Sequence, residues 1–290
     1  MRIKGGLGNQ LFCYAAARRL ALMNGAELVI DDASGFARDL RYKRRYSLDR
    51  FAINARKATA AERMEPFGRW RRGLAKAIAR QCPFCRRRYL EQQQREFDPR
   101  LLAYKVRGTV YLDGLWQSEG YFKDVEQRIR QDLRIIPPAD ARNQAMAARI
   151  RTCSAVAVHV RWFDPPVGED AEHNVSLGYY REAMVEIERH VPDPHYFLFS
   201  DDPISAERIL APSDIPVTCV NHNRGDESAF ADLWLMTQCK HFIIANSTFS
   251  WWGAWLCDSL SKTIVAPAVR TRGITSWNFS GQLPNEWIRV

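Results

Sequence analysis

The chain is poor in cysteine, with seven scattered over 290 residues, and no apolar run approaches the ~20 residues that a membrane-spanning helix needs. The first shortage excludes a disulfide-stapled scaffold and suits a reducing compartment. The second excludes a helical bilayer span, and the N-terminus has no apolar segment of the signal-peptide kind. A cytoplasmic protein is therefore expected. Cys82-Pro-Phe-Cys85 is the one close cysteine pair. Without a second pair to complete four ligands, it reads as two loop thiols sooner than as a zinc or redox centre.

Acidic residues are also scarce, but only in one half. Residues 1–150 hold 31 Lys and Arg against 16 Asp and Glu, whereas residues 151–290 hold 11 against 17. Such asymmetry implies that the halves meet different partners. The basic excess is densest between Arg38 and Arg107. It reads as a solvated face, as attraction to the anionic inner face of the cytoplasmic membrane with the protein held there peripherally, or as recognition of an acceptor carrying phosphate. Nucleic acid is not expected as a partner, because no recognised binding motif accompanies the charge.

Length and apolar content suit one large or two ordinary domains. In the second half, residues 155–160, 196–199, 217–220, 242–245 and 263–266 read as strands separated by helical stretches, the pattern of βαβ units around a parallel sheet. Pro137-Pro138 stops the preceding helix and places a domain boundary, giving units 1–138 and 139–290. In the first half, residues 27–30 and 109–112 read as strands and residues 11–23 as a buried helix. Only Arg2-Ile3-Lys4 is left before Gly5, Gly6 and Gly8, little room for a first strand. Those glycines permit a tight turn and close approach of a ligand, with Asn9 and Gln10 placed at the turn into the helix.

The most informative stretch is HFIIANSTFSWWGAWLC at residues 241–257. An apolar run of strand length is followed by Asn246, Ser247 and Thr248, residues that start helices. A helix opening at the carboxyl end of a parallel strand offers N–H groups to an anion, so a phosphate cradle is plausible there. The same residues also serve simply as caps, with Trp251, Trp252 and Trp255 in the core. His159-Val160-Arg161 ends the first strand of this half, and an arginine there can grip two phosphate oxygens at once. His159 reads more readily as a structural hydrogen-bonding residue than as an acid or base. Asp202-Pro203 is a complete helix start, which leaves Asp201 free for a ligand.

ANSTFSWWGAWL preceded by DLWLMTQCKHFI, GGLGNQLFCYAAARRLA at residues 5–21, HVRWFD at residues 159–164 and QSE followed by YF near residue 117 together resemble the α-1,2-fucosyltransferases of glycosyltransferase family 11. The resemblance implies an α/β fold of the GT-B type, two Rossmann-like domains facing a cleft, with the acceptor side in the N-terminal half and the GDP-sugar in the C-terminal one. The implied reaction is inverting transfer of L-fucose from GDP-β-L-fucose to the 2-hydroxyl of a galactose-terminated glycan in surface glycan or O-antigen synthesis. GDP-fucose is then a co-substrate, and no cofactor or metal is expected, since the chain contains no Asp-any-Asp triplet. Arg161 is the expected catalytic cation. His159, Asp164, Asp201, Asn246, Ser247, Thr248 and Phe249 are the expected donor-binding residues, with Asp164 orienting Arg161 or a lid at residues 165–175. Gly8, Asn9, Gln10, Gln117 and Glu119 are the cleft and acceptor candidates. Trp116 and Tyr121 read either as sugar-stacking rings or as core, and Glu119 and Asp31 are candidate bases. One departure stands out. The family carries a second arginine after the first, and here Trp162 occupies that place. The rivals are a GT-B enzyme using another nucleotide sugar and a catalytically inactive nucleotide-sugar-binding protein of polysaccharide assembly.

Overall fold

The computed structural model describes residues 1–40, 42–164, 173–210, 217–270 and 277–290. It divides into two compact units: Met1–Ile136 with Ser280–Gln282, and Pro137–Phe279 with Leu283–Val290. The return of Ser280–Gln282 to the first unit has no signature in the sequence. It is held by the Phe97 N–H donating to the Ser280 carbonyl and by the Ser118 hydroxyl donating to the Gly281 carbonyl.

In the first unit, helix α1 (Leu7–Met23) is buried on nearly every side. Strands β1 (Val29–Ile30) and β2 (Arg56–Lys57) pair in parallel, as do β3 (Tyr89–Glu91) and β4 (Tyr111–Asp113). The short N-terminal segment nevertheless finds a place in this sheet. Arg2 bridges Asp31 in parallel, and its N–H donates to the Leu112 carbonyl at 3.0 Å. Met1 to Ile3 thus runs between β1 and β4 as a rudimentary strand. Helix α1 begins at Leu7 with Gly6 as a cap that offers no side chain. Asn9 and Gln10 therefore lie inside the first turn instead of preceding it. Helix α2 (Gly68–Arg80) follows β2. Ser118 does cap a helical turn, by accepting from the Gly120 N–H. The helix expected to run on from it is instead two 3₁₀ turns and then α3 (Glu126–Asp132).

The second unit opens with α4 (Ala141–Arg151), capped by Asp140. Strand β5 (Ser154–Val160), helix α5 (Leu177–His190), strand β6 (Pro194–Ser200), helix α6 (Pro203–Leu210) and strand β7 (Val217–Val220) follow. Then come α7 (Ala229–Gln238), β8 (His241–Ile243), α8 (Thr248–Leu256), β9 (Ile264–Ala266) and β10 (Ile288–Arg289). All six strands run parallel in the order β10-β9-β8-β5-β6-β7. Five of them are the strands read from the alternating pattern. The sixth, β10, is two residues long and too short to leave a period. Val156, Val158, Tyr180, Ile187, Leu198 and Ile243 are fully or almost fully buried on one face of the sheet beneath α5. Helix α8 packs on α7, and its Trp251 meets Trp252, Trp255 and Trp287.

Candidate functional site

In the second unit the chain winds outward from β5 through β6 and β7. It then returns through α7 to lay β8 on the opposite edge of β5. The crossovers leaving β5 and β8 diverge, so the sheet has its switch point between them, and such a point opens a crevice at the carboxyl ends of the two strands. Register brings the expected donor residues to that crevice. Val160 pairs with Ser200, which puts Arg161 level with Asp201. Val158 pairs with Ile243, which puts Arg161 level with Asn246 on the other side.

Arg161 donates from Nη1 to Asp201 Oδ2 at 2.7 Å and lies 5.4 Å from the Phe163 ring centre. Asp201 also accepts the Trp162 N–H. Far from being free for a nucleoside, Asp201 is the anchor of the arginine. Burial raises its pKa, against the pull of the Arg161 charge. Asp164 accepts the His173 N–H and pairs with His173 Nδ1 at 2.8 Å. Asn174 accepts the N–H groups of Phe163 and Asp164. These contacts tie together the residues on either side of 165–172, the part of the 165–175 loop read as a lid that lies outside the described residues.

His159 is buried against Phe249, ring centres 5.5 Å apart. Burial first, and then the Arg161 charge, lowers its pKa to about 3. It is neutral at working pH and cannot serve there as a charged acid. Its Nδ1 is buried and has no hydrogen-bond partner in the structure. Asn246 donates to the His173 carbonyl, while its own Oδ1 is buried and without a partner. Ser247 caps α8 by accepting the Phe249 N–H at 3.3 Å, and Thr248 is the first residue of that helix. Two unpaired buried polar atoms therefore lie at the ends of neighbouring strands, close to the helix N-terminus at Ser247 and to the Arg161 guanidinium. Unmet hydrogen-bonding groups of this kind are costly unless a ligand meets them.

Two tyrosines of α5 hold this crevice in shape, and sequence reading passed over them. Tyr179 donates to the carbonyls of Ile244 and Val265, and Tyr180 to that of His159. Adjacent tyrosines on a helix look like ordinary core aromatics, and nothing in their spacing reveals that both hydroxyls reach strand ends. Trp162, in the place of the family's second arginine, packs against the core between α5 and the sheet. Its indole N–H is buried and unpaired.

In the first unit, Gln117 donates to Asn9 Oδ1 at 2.7 Å, joining two of the acceptor candidates. Gln10 is fully committed elsewhere, donating to the carbonyls of Gly5 and Arg45 and accepting the Ser47 N–H. Gly8 is buried within α1. Glu119 pairs with Lys123. Asp31, a candidate base, accepts the Ala33 and Ser34 N–H groups and the hydroxyls of Ser34 and Tyr111. Burial pushes its pKa up, but these donors outweigh burial and hold it below the ordinary value. Asp31 is a structural acceptor, not a base. Trp116 and Tyr121 are 2% and 1% exposed and pack edge to face, so they are core and not sugar platforms. A cavity of about 270 Å³ opens where β3 and β4 end, lined by Lys4, Gln92, Arg95, Asp113 and Gln117 among others. Asp113 is held by Lys4, Lys76 and Tyr89, whereas burial alone lowers the pKa of Arg95. Among the described residues no group of three or more His, Cys, Asp or Glu side chains converges as metal ligands would.

A doubly wound parallel sheet with a cation and a helix N-terminus at its switch point, joined to a second α/β unit, is an architecture of the GT-B type. The chain belongs to glycosyl transferase family 11, whose model matches residues 83–288. It is 27% identical to an Escherichia coli alpha-1,2-colitosyltransferase, over 100% of this chain and 97% of that protein. It is 30% identical to the Escherichia coli O-antigen biosynthesis glycosyltransferase WbnK, over 91% and 92%. In fold it is similar to the fucosyltransferase NodZ from Bradyrhizobium, with TM-score 0.53, 18% identity and coverage of 87% and 90%. It is likewise similar to Arabidopsis thaliana FUT1 in complex with GDP, with TM-score 0.55, 13% identity and coverage of 95% and 70%.

Proposed function

We propose that the protein transfers L-fucose from GDP-β-L-fucose to the 2-hydroxyl of a galactose-terminated glycan, with inversion, in O-antigen synthesis. The observation that carries this reading is the meeting of Arg161, Asn246, Ser247 and Thr248 at the β5 and β8 ends in a family 11 chain. The acceptor oxygen attacks the anomeric carbon as the bond to the β-phosphate oxygen breaks, and the acceptor proton leaves to a base or to water. Negative charge grows on the departing GDP, where Arg161 and the amides of the first turn of α8 receive it by direct hydrogen bonds. Asp201 positions the guanidinium. The neutral His159 and the buried Asn246 oxygen supply further polar contacts to the donor, and Asp164 with Asn174 steadies the approach. In the first unit, Gln117 and Asn9, beside the cavity at the β3 and β4 ends, take the acceptor sugar.

A second donor is favoured by two observations, the resemblance to a colitosyltransferase and the tryptophan at position 162. The test is incubation with GDP-fucose, other GDP-sugars and UDP-sugars, with and without a panel of galactosides, following GDP or UDP release and mapping the product linkage. Galactoside-dependent GDP release with an α-1,2 product supports the proposal. Preference for another donor moves the assignment to that sugar, and binding of GDP-fucose without turnover on any galactoside contradicts catalysis.

A further inference from the structure

Helix α2 inverts the usual arrangement of a surface helix. Its inward residues include Arg72, which donates to the Arg63 carbonyl, and Lys76, which pairs with Glu91 and Asp113. Its outward stripe is apolar. Trp70, Leu74 and Ile78, four residues apart on one helical face, are 84%, 63% and 59% exposed, and Phe67 at the helix start is 79% exposed. Large side chains in a continuous outward row mark an interaction surface, unlike apolar residues scattered singly.

The charges beside the stripe say what it meets. By helical rotation Arg71 falls on one flank of the stripe and Arg69 on the other, where Arg80 is paired with Glu91. The helix contains no acidic residue, and Arg86 and Arg88 follow it on the exposed surface. An apolar stripe flanked on both sides by long cationic side chains is built to lie in a bilayer interface, with rings and aliphatic groups among the acyl chains and guanidinium groups at anionic headgroups. A second copy of the chain would bring like charges together around the same stripe, whereas an anionic lipid surface neutralises them.

We propose that α2 is a membrane-surface helix, by which the first unit docks on bilayers containing anionic lipid. A glycan acceptor tethered to such a bilayer would then be met close to the membrane. That meeting with the acceptor rests on the proposed function, but the docking does not.

The test is flotation of the purified full chain with vesicles of phosphatidylcholine, with or without phosphatidylglycerol, at low and raised salt, a measurement that needs neither donor nor turnover. The wild-type protein floats with the phosphatidylglycerol vesicles and not with phosphatidylcholine alone. Trp70→Ala with Leu74→Ala, and separately Arg69→Gln with Arg71→Gln, each reduce the bound fraction about tenfold or more, as loss of buried apolar area or of two lipid-facing charges requires. Both variants keep the wild-type melting temperature and the wild-type rate on soluble acceptor. Failure of the wild type to float with anionic vesicles overturns the proposal, as does undiminished flotation of the two variants. Self-association in solution that disappears in the Trp70 and Leu74 variant, with no vesicle binding, assigns the stripe to a second copy and also overturns it.

Discussion

In the proposed reaction Arg161 and Asp201, paired in the structure, are the residues on which transfer turns, and they act differently. Removing a group that stabilises charge in the transition state costs about 10²–10³-fold in kcat. Arg161→Ala should lose at least that much while its melting temperature is unchanged, and near-normal turnover would take Arg161 out of the mechanism. Asp201 acts through Arg161, so Asp201→Asn should lower kcat by a smaller factor, with partial rescue in Asp201→Glu; a purely structural role would instead appear as a lowered melting temperature without rescue. His159 yields a pH prediction. Its folded pKa of about 3 lies below the ordinary 6.5, so the unfolded chain binds the proton more readily between those values. Its contribution to stability therefore rises with pH through that window and is lost as the pH falls. Activity should show no inflection near pH 6.5 that vanishes in His159→Asn; such an inflection would mean that the histidine ionises in the cleft.

The elements carry roles that their sequences announce unevenly. Ser247 and Asp202 were legible as caps, because a short polar side chain before an apolar period commonly starts a helix. Ser247→Ala should cost about 1 kcal/mol in unfolding free energy and also slow transfer, since the cap fixes the first turn of α8. Trp251 is wholly buried among three other indoles, and Trp251→Ala should cost about 3–5 kcal/mol in denaturant unfolding. Trp162 changes meaning once packing is seen. From sequence it is a lost cation, and Trp162→Arg ought to restore rate. In this partly buried place the same change removes an indole packed against the core, and loss of stability should accompany any gain; a faster enzyme of undiminished stability would contradict the packing. What sequence could not convey was partnership. Asp201 looked free because its arginine is 40 positions away in the chain, and Asp31, readable as a turn former from its place at a strand end, stayed a candidate base because the Tyr111 hydroxyl that also holds it is 80 positions away.

At the scale of the molecule, the parallel sheet of the second unit was readable because buried βαβ strands are continuous apolar runs at regular intervals. In the first unit the helix at residues 11–23 and the strands at 27–30 and 109–112 were readable and correspond to α1, β1 and β4, whereas β2, β3 and the Met1 to Ile3 segment were not, being two or three residues long or held by single bridges. The donor side of the site was legible in its residues, since strand-end motifs are local. Its support by Tyr179 and Tyr180 was not, since those hydroxyls act across the sheet. If protein groups and not a divalent ion hold the diphosphate, transfer in the presence of a strong chelator should match transfer with added magnesium; a loss that magnesium restores would point to a metal. The most direct test of the whole account is a structure of the GDP complex crystallised with a chelator. The account predicts the β-phosphate within hydrogen-bonding distance of the Arg161 guanidinium and the first turn of α8. GDP bound away from both would contradict it.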